Sequence, residues 1–282
     1  MKFFLKNSIG RLDFIAWLLV LMFFCGSALI FNGNLLLSSA GAVGVIAELF
    51  FIALAIEIII ECLKNTKGIG TLTGFITNGP EAVCLIVGLV VGDIIFAAST
   101  PLGSNFMNPV LLLAAAIISG QFLRTLATKA TYSSVTVLLT ALAAGSFFIL
   151  NISHYLFWLM ASVTVTTILF FLRPEESNTS EPEEYSFKPS HWLLPAIAVL
   201  MIAGYYLDPV VSFAATHSLA PKGVIGFVVL STLTSWPEFK SCLALLKRKK
   251  SLAAILNITV SNITNIWLAA VGVATYLLSH SL

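Results

Sequence analysis

Long apolar runs separated by short polar punctuation set the plan of this chain. The runs fall at about 12–31, 35–63, 69–91, 94–119, 131–150, 154–172, 191–219, 223–246 and 251–279. Each is near the ~20 apolar residues a helix needs to cross the hydrocarbon of a bilayer. Between them stand Asn32-Gly33-Asn34, Lys64 to Lys67, Gly92-Asp93, Arg124 with Lys129, Asn151-Ile152-Ser153, and Lys247-Arg248-Lys249-Lys250. The pattern predicts an all-α, polytopic membrane protein of about nine spans. One stretch, 173–190, stays polar throughout, with Glu175, Glu176, Glu181, Glu183 and Glu184 beside Pro174, Pro182 and Pro189. That composition cannot bury a core, so it reads as an acidic cytoplasmic linker. The predicted organisation is an extra N-terminal helix (1–34), a first half (35–172), the linker (173–190) and a second half (191–282).

Composition agrees with this plan. The chain is 58% hydrophobic and 10% charged, with mean hydropathy +0.98, against about 25% charge in soluble domains. Lys2, Lys6 and Arg11 before an apolar run suggest a signal peptide, but the run is long and no A-x-A site follows it cleanly, so a retained span is expected. Cys25, Cys62, Cys84 and Cys242 lack metal-ligand spacing and read as single thiols in apolar helices. His154, His191, His217 and His280 stand near span ends. The net charge of +2 gives no sign of a nucleic-acid partner.

The distribution of charge is more informative than its sum. With Lys247–Lys250 cytoplasmic, nine spans put the N-terminus inside and the C-terminus outside. Of the fifteen Lys and Arg, only Lys222 then falls outside, as basic residues concentrate in short cytoplasmic loops. The Lys247–Lys250 turn reads as a topology anchor. Glu57 and Glu61 read as snorkelling beside Lys64, and Glu48 as packed or protonated.

Within the apolar runs one polar pattern occurs twice. Thr77-Asn78-Gly79-Pro80-Glu81 is followed by Ser104-Asn105-Phe106-Met107-Asn108, and Thr234-Ser235-Trp236-Pro237-Glu238 by Ser261-Asn262-Ile263-Thr264-Asn265. The displacement is 157 residues at every matched position, so this is an internal duplication. On the nine-span count the first copy starts from the cytoplasm and the second from outside. Inverted repeats with polar residues at midspan are a signature of secondary transporters.

The chemistry of the repeated residues points to cations. Glu81 and Glu238 fall near the middle of their spans, where an acid is unfavourable by roughly 2.5–3.5 kcal/mol on insertion scales. No Lys or Arg sits at midspan in any predicted helix, which leaves a bound cation or a proton as the partner. Pro80 and Pro237 loosen the carbonyls around Ile76 and Leu233, and free carbonyls at that depth need a cavity or a ligand. Thr77 with Glu81, Thr234 with Glu238, Ser104 with Asn108 and Ser261 with Asn265 are each four apart and share a helix face. Carboxylates, hydroxyls, amide oxygens and carbonyls, without thiolate or imidazole, suit Ca²⁺ rather than zinc or copper.

The doubled motif resembles the two α-repeats of the cation/calcium exchanger superfamily, whose repeats read approximately G-T-S-x-P-E and G-S-N-x-x-N/D. Ala47-Glu48-Leu49-Phe50 is similar to the acidic motif of that family's first long helix. The resemblance covers about 35–119 and 191–279. It implies a membrane antiporter working by alternating access, with Pro-broken helices at the midplane and Ca²⁺ exchanged for Na⁺. It further implies that Glu81 and Glu238 bridge the Ca²⁺ and that Thr77 and Thr234 add oxygens, as do the backbones at Gly74 and Ser231. Ser104 and Ser261 would complete sodium sites around Asn108 and Asn265, with the motif positions Asn78 and Ser235 beside them. No cofactor is implied beyond the transported ions, and no partner beyond inorganic cations and the bilayer.

The chain departs from the family in three ways. Asn78 replaces a serine, both Asn108 and Asn265 are amides where many sodium-coupled members carry one aspartate, and two helices usual after the second repeat are missing. The N-terminal span or a second subunit is expected to cover that flank. An exchanger of the same fold driven by H⁺ is the alternative. An intramembrane enzyme fits poorly, because no midspan His pairs with a serine and no Y-D or G-x-G-D dyad occurs.

Overall fold

The computed structural model describes residues 9–91, 94–176, 189–220 and 231–280. Lys2, Lys6, Gly92-Asp93, most of the acidic linker and the start of the predicted 223–246 span lie outside the described residues. The helices are α1 (Arg11–Ile30), α2 (Leu35–Leu63), α3 (Ile69–Ile76), α4 (Gly79–Val91), α5 (Ile94–Ile118), α6 (Phe122–Ala127) and α7 (Ala130–Ile149). They continue with α8 (Tyr155–Phe171), α9 (Leu193–Ser218), α10 (Ser231–Thr234), α11 (Trp236–Lys247) and α12 (Ser251–His280). Short 3₁₀ turns precede α8 and α9 at Ile152–His154 and Pro189–Trp192.

Among the described residues, 8 helical stretches are long and apolar enough to cross a membrane, with α3 and α4 together counted as one. They match eight of the nine predicted runs. Of the remaining run only the part within α10 and α11 is described.

α12 is the centre of the bundle. In its span window 78% of residues are buried, against 22% for α7 and 28% for α1 and α8. One apolar cluster joins α1, α2, α9, α11 and the start of α12. A second joins α5, α7, α8 and the later part of α12 through Ile266, Ala269 and Val273. Outward faces carry large apolar side chains such as Leu18, Met22, Leu138, Leu142, Phe157 and Met160. The buried Thr, Ser, Asn and Glu gather around α12 instead. Apolar outside and polar inside is the arrangement a lipid environment favours.

Small residues let the helices approach closely. Cβ atoms added at Gly41 and Gly44 of α2 would stand 2.7 Å from Ala214 and Val210 of α9, so these two long helices pack backbone to backbone. Gly70 and Gly74 do the same for α3 on α12, where added Cβ atoms would meet the carbonyls of Ala253 at 2.2 Å and Asn257 at 2.7 Å. This is small-xxx-small packing.

Charged residues near the span ends are bound, not merely snorkelling. Glu57 and Glu61 are buried, and both pair with Arg248, at 2.9 and 3.3 Å. Glu61 also pairs with Lys64 at 2.7 Å, and Lys250 donates to the Lys64 carbonyl at 2.5 Å. Burial and the adjoining Arg248 guanidinium hold the Lys250 ammonium below its ordinary pKa. Glu61 lies beside Lys64 as expected; what the sequence does not show is that the basic turn docks on the end of α2 and adds Arg248 as a counter-charge to both acids. A second pair, Lys240 with Asp13 at 2.8 Å, ties α11 to α1 in a buried position.

Candidate cation site

The repeated motifs meet at α12. α3 ends at Ile76 and α4 begins at Gly79, leaving Thr77 and Asn78 between them. α10 ends at Thr234 and α11 begins at Trp236, leaving Ser235 between them. Because α3 lies directly against α12, Asn78 reaches Ser261. Its Nδ2 donates to the Ser261 carbonyl at 2.8 Å, and its Oδ1 accepts from the Ser261 hydroxyl at 2.7 Å. The hydroxyl of Ser261 also lies 3.3 Å from Glu238 Oε1. At the matching place Ser104 Oγ lies 3.4 Å from Glu81 Oε1. Glu238 is close enough for its charge to act on Glu81.

Next to these, α5 and α12 are joined by two matched sets of amide bonds. Asn105 Nδ2 donates to the Asn262 carbonyl at 3.2 Å, and Asn262 Nδ2 donates to the Asn105 carbonyl at 3.3 Å. Asn108 Nδ2 donates to Asn262 Oδ1 at 3.0 Å, and Asn265 Nδ2 donates to Asn105 Oδ1 at 3.1 Å. Asn108 Nδ2 also reaches Ser261 Oγ at 3.1 Å. Pro109 explains part of this. It has no N–H to give the Asn105 carbonyl one turn back, so that oxygen is free for Asn262.

Some oxygens are left over. Glu81 and Glu238 are 1% and 0% exposed, and Asn108 and Asn265 both 0%. Yet Glu81 Oε2, Glu238 Oε2, Asn108 Oδ1 and Asn265 Oδ1 have no hydrogen-bond partner, and neither has Ser235 Oγ. Among the described residues no Lys or Arg pairs with either glutamate; the buried Lys240 goes to Asp13 instead. Among the described residues no three His, Cys, Asp or Glu side chains are arranged so that they alone could hold a metal ion. The donor set is two carboxylates with neutral oxygens around them.

Other expected positions differ in what they touch. Thr77 donates back to the Thr73 carbonyl at 3.0 Å and faces Glu238. Thr234 lines a small cavity with Glu81. Gly74 is pressed against the backbone of Asn257 and Ser261, so its role here is close approach of α3 to α12. Ser231 opens α10, and its side chain lies outside the described residues. Sequence reasoning quoted Asn105 and Asn262 but did not select them. The signal was available, since both hold the second place of S-N-x-x-N. It also passed over Asp208, an acid inside the α9 run that lines the cavity beside Glu81.

Compared with known proteins, the chain matches no family model, no curated protein and no solved structure.

Proposed function

We propose that the chain is a cation antiporter that exchanges Ca²⁺ for Na⁺ across a membrane by alternating access, with Glu81 and Glu238 holding the ion. One observation carries this reading: the four buried, unpartnered oxygens of Glu81, Glu238, Asn108 and Asn265. All four are acceptors, and they form two pairs with the same displacement as the motifs. A buried polar group left unpaired is unfavourable by about 1–3 kcal/mol, more when charged. A cation relieves all four together. A proton on either carboxyl would supply an O–H able to donate to an amide oxygen, which is the H⁺-coupled alternative. Two carboxylates with two neutral amide oxygens also make an all-oxygen set of the kind a hard metal cation takes. Two carboxylates with neutral oxygens suit one Ca²⁺, or two Na⁺ in its stead.

The exchanged bonds of Asn105 and Asn262 support an inverted-topology repeat. When each of two matched residues donates to the other's carbonyl, a two-fold relation between their segments is the simplest cause. Pro80 and Pro237, just after the interruptions at Thr77-Asn78 and Ser235, support reading α3–α4 and α10–α11 as Pro-broken helices. The close pairing of α2 with α9 supports their moving as one body past the rest. The resemblance to the cation/calcium exchangers agrees with each of these points.

The test is ⁴⁵Ca uptake into proteoliposomes loaded with Na⁺. An outward Na⁺ gradient is expected to drive uptake, and Glu81→Gln and Glu238→Gln are each expected to abolish it. Uptake driven only by a pH gradient would transfer the reading to the H⁺-coupled alternative. Undiminished uptake in either variant would overturn the site.

A further inference from the structure

α9 carries an acid that the repeated motifs do not account for. Asp208 is ten residues from the end of α9 at Ser218, about 15 Å at 1.5 Å per residue. Half of a hydrocarbon core is also about 15 Å, so Asp208 lies well inside the membrane, where an acid facing lipid is strongly disfavoured.

It is half-buried, and on its inner side it lines a cavity. A space of about 10 Å³ is lined by Asp208, Glu81, Cys84, Pro80, Thr234 and Pro237, among others. That is room for about one water-sized sphere. Gly204, one turn before Asp208, makes the approach possible. A Cβ there would stand 2.2 Å from Pro80, so α9 lies directly on the start of α4. Cys84 is one turn beyond Glu81 and lines the same cavity as Glu81 and Asp208. Asp208 accepts one long bond from Ser212 at 3.4 Å, which leaves most of its capacity open. Pro209, the next residue, cannot donate to the Tyr205 carbonyl one turn back. A carboxylate and a freed carbonyl thus stand on α9 near a cavity that Glu81, whose Oε2 has no hydrogen-bond partner, also lines.

We propose that Asp208 is the access site for the transported divalent cation: it draws the ion into the crevice between α9 and α4 and hands it to Glu81. The proposal rests on the exchanger reading for the identity of the ion. Its geometry, Asp208 and Glu81 lining one cavity with Cys84, can be examined without transport.

The experiment uses the full chain in lipid nanodiscs with Cys25→Ala, Cys62→Ala and Cys242→Ala, leaving Cys84 as the reporter. Cationic and anionic methanethiosulfonate reagents of similar size are compared. The cationic reagent is expected to modify Cys84 about ten-fold faster, the scale of rate enhancement a charged cleft gives, and millimolar Ca²⁺ to slow it. Asp208→Asn should bring the two rates together, and Asp208→Glu should restore the difference. An unreactive Cys84, equal rates with Asp208 present, or a ratio unmoved by Asp208→Asn would each overturn the proposal. In proteoliposomes, Asp208→Asn should raise the Ca²⁺ concentration for half-maximal uptake more than it lowers the saturated rate. The labelling pattern without any Ca²⁺ uptake would sink the exchanger reading and leave the crevice standing. Uptake without the pattern would do the reverse.

Discussion

Asn105 and Asn262 join α5 to α12 through bonds that each side both gives and receives. Asn262→Ala removes one donor and leaves the Asn105 carbonyl, already without a helical donor because of Pro109, buried and unpaired. Each single alanine variant should lower stability by about 1–3 kcal/mol. The double variant should lose less than the sum of the two, because both singles break one shared network. Thermal unfolding in detergent, followed by tryptophan fluorescence, measures the cycle; strict additivity would mean the two amides act independently. At this scale the sequence singles out Glu81, Glu238, Ser104, Ser261, Asn108 and Asn265 as candidates, because duplication marks them twice, and all six are buried. It did not reveal that Asn105 and Asn262 are the contact between copies, since helical spacing within one copy says nothing about which face meets the other. Asp208 was hidden for the opposite reason: it has no acidic counterpart at the matching place, Phe51.

The helix most exposed to disturbance is α3, which is short and leads straight into Thr77 and Asn78. Its position depends on Gly70 and Gly74 lying against α12. A Cβ at Gly70 would stand 2.2 Å from the Ala253 carbonyl oxygen. That neighbour is backbone, so no rotamer change relieves the contact and α3 must lift away. Gly70→Ala is expected to destabilise by about 1–3 kcal/mol, as overpacking does. It should also weaken Ca²⁺ uptake, because the Asn78–Ser261 bonds lengthen as α3 moves. Gly26→Ala in α1 is the control. Nothing lies within 4 Å of its added Cβ, so it should be neutral or stabilise by about 0.5–1 kcal/mol. A Gly70→Ala protein with unchanged melting and uptake would remove α3 packing as the device that positions Asn78. Span positions were legible in the sequence because bilayer thickness dictates run length. The Asp13–Lys240 pair was not, because its partners are 227 residues apart and only tertiary packing brings them together.

Across the whole molecule, the loops expected on the cytoplasmic side are bound to one another at one end. Arg248 holds Glu57 and Glu61, Lys250 holds the Lys64 carbonyl, and Gln121 bonds both the Leu246 carbonyl and Ser251. Glu176, at the start of the linker, accepts from the backbone of Gly70 and Thr71 at 3.1 to 3.3 Å, where the N-terminal dipole of α3 favours a negative charge. Segments that touch lie on the same side of a membrane, so an even number of crossings separates each of them from the next. α9 leaves this end and finishes at the other, where Asn34 meets His217. Lys247, at the end of α11, stands back at the first end, as the expected nine crossings with termini on opposite sides require. This end also holds most of the Lys and Arg, so the positive-inside tendency predicts that it is cytoplasmic, which reporter fusions test. Fluorescent protein fused to the N-terminus or inserted within 177–188 should fluoresce in a bacterial host. Of the N-terminus, the linker and the C-terminus, only a fusion after Leu282 should give active alkaline phosphatase. Activity of both reporters at the same terminus, or phosphatase activity from the linker, would break the count of crossings. The opposed directions of the two motifs, and with them the two-fold site, would then fail as well.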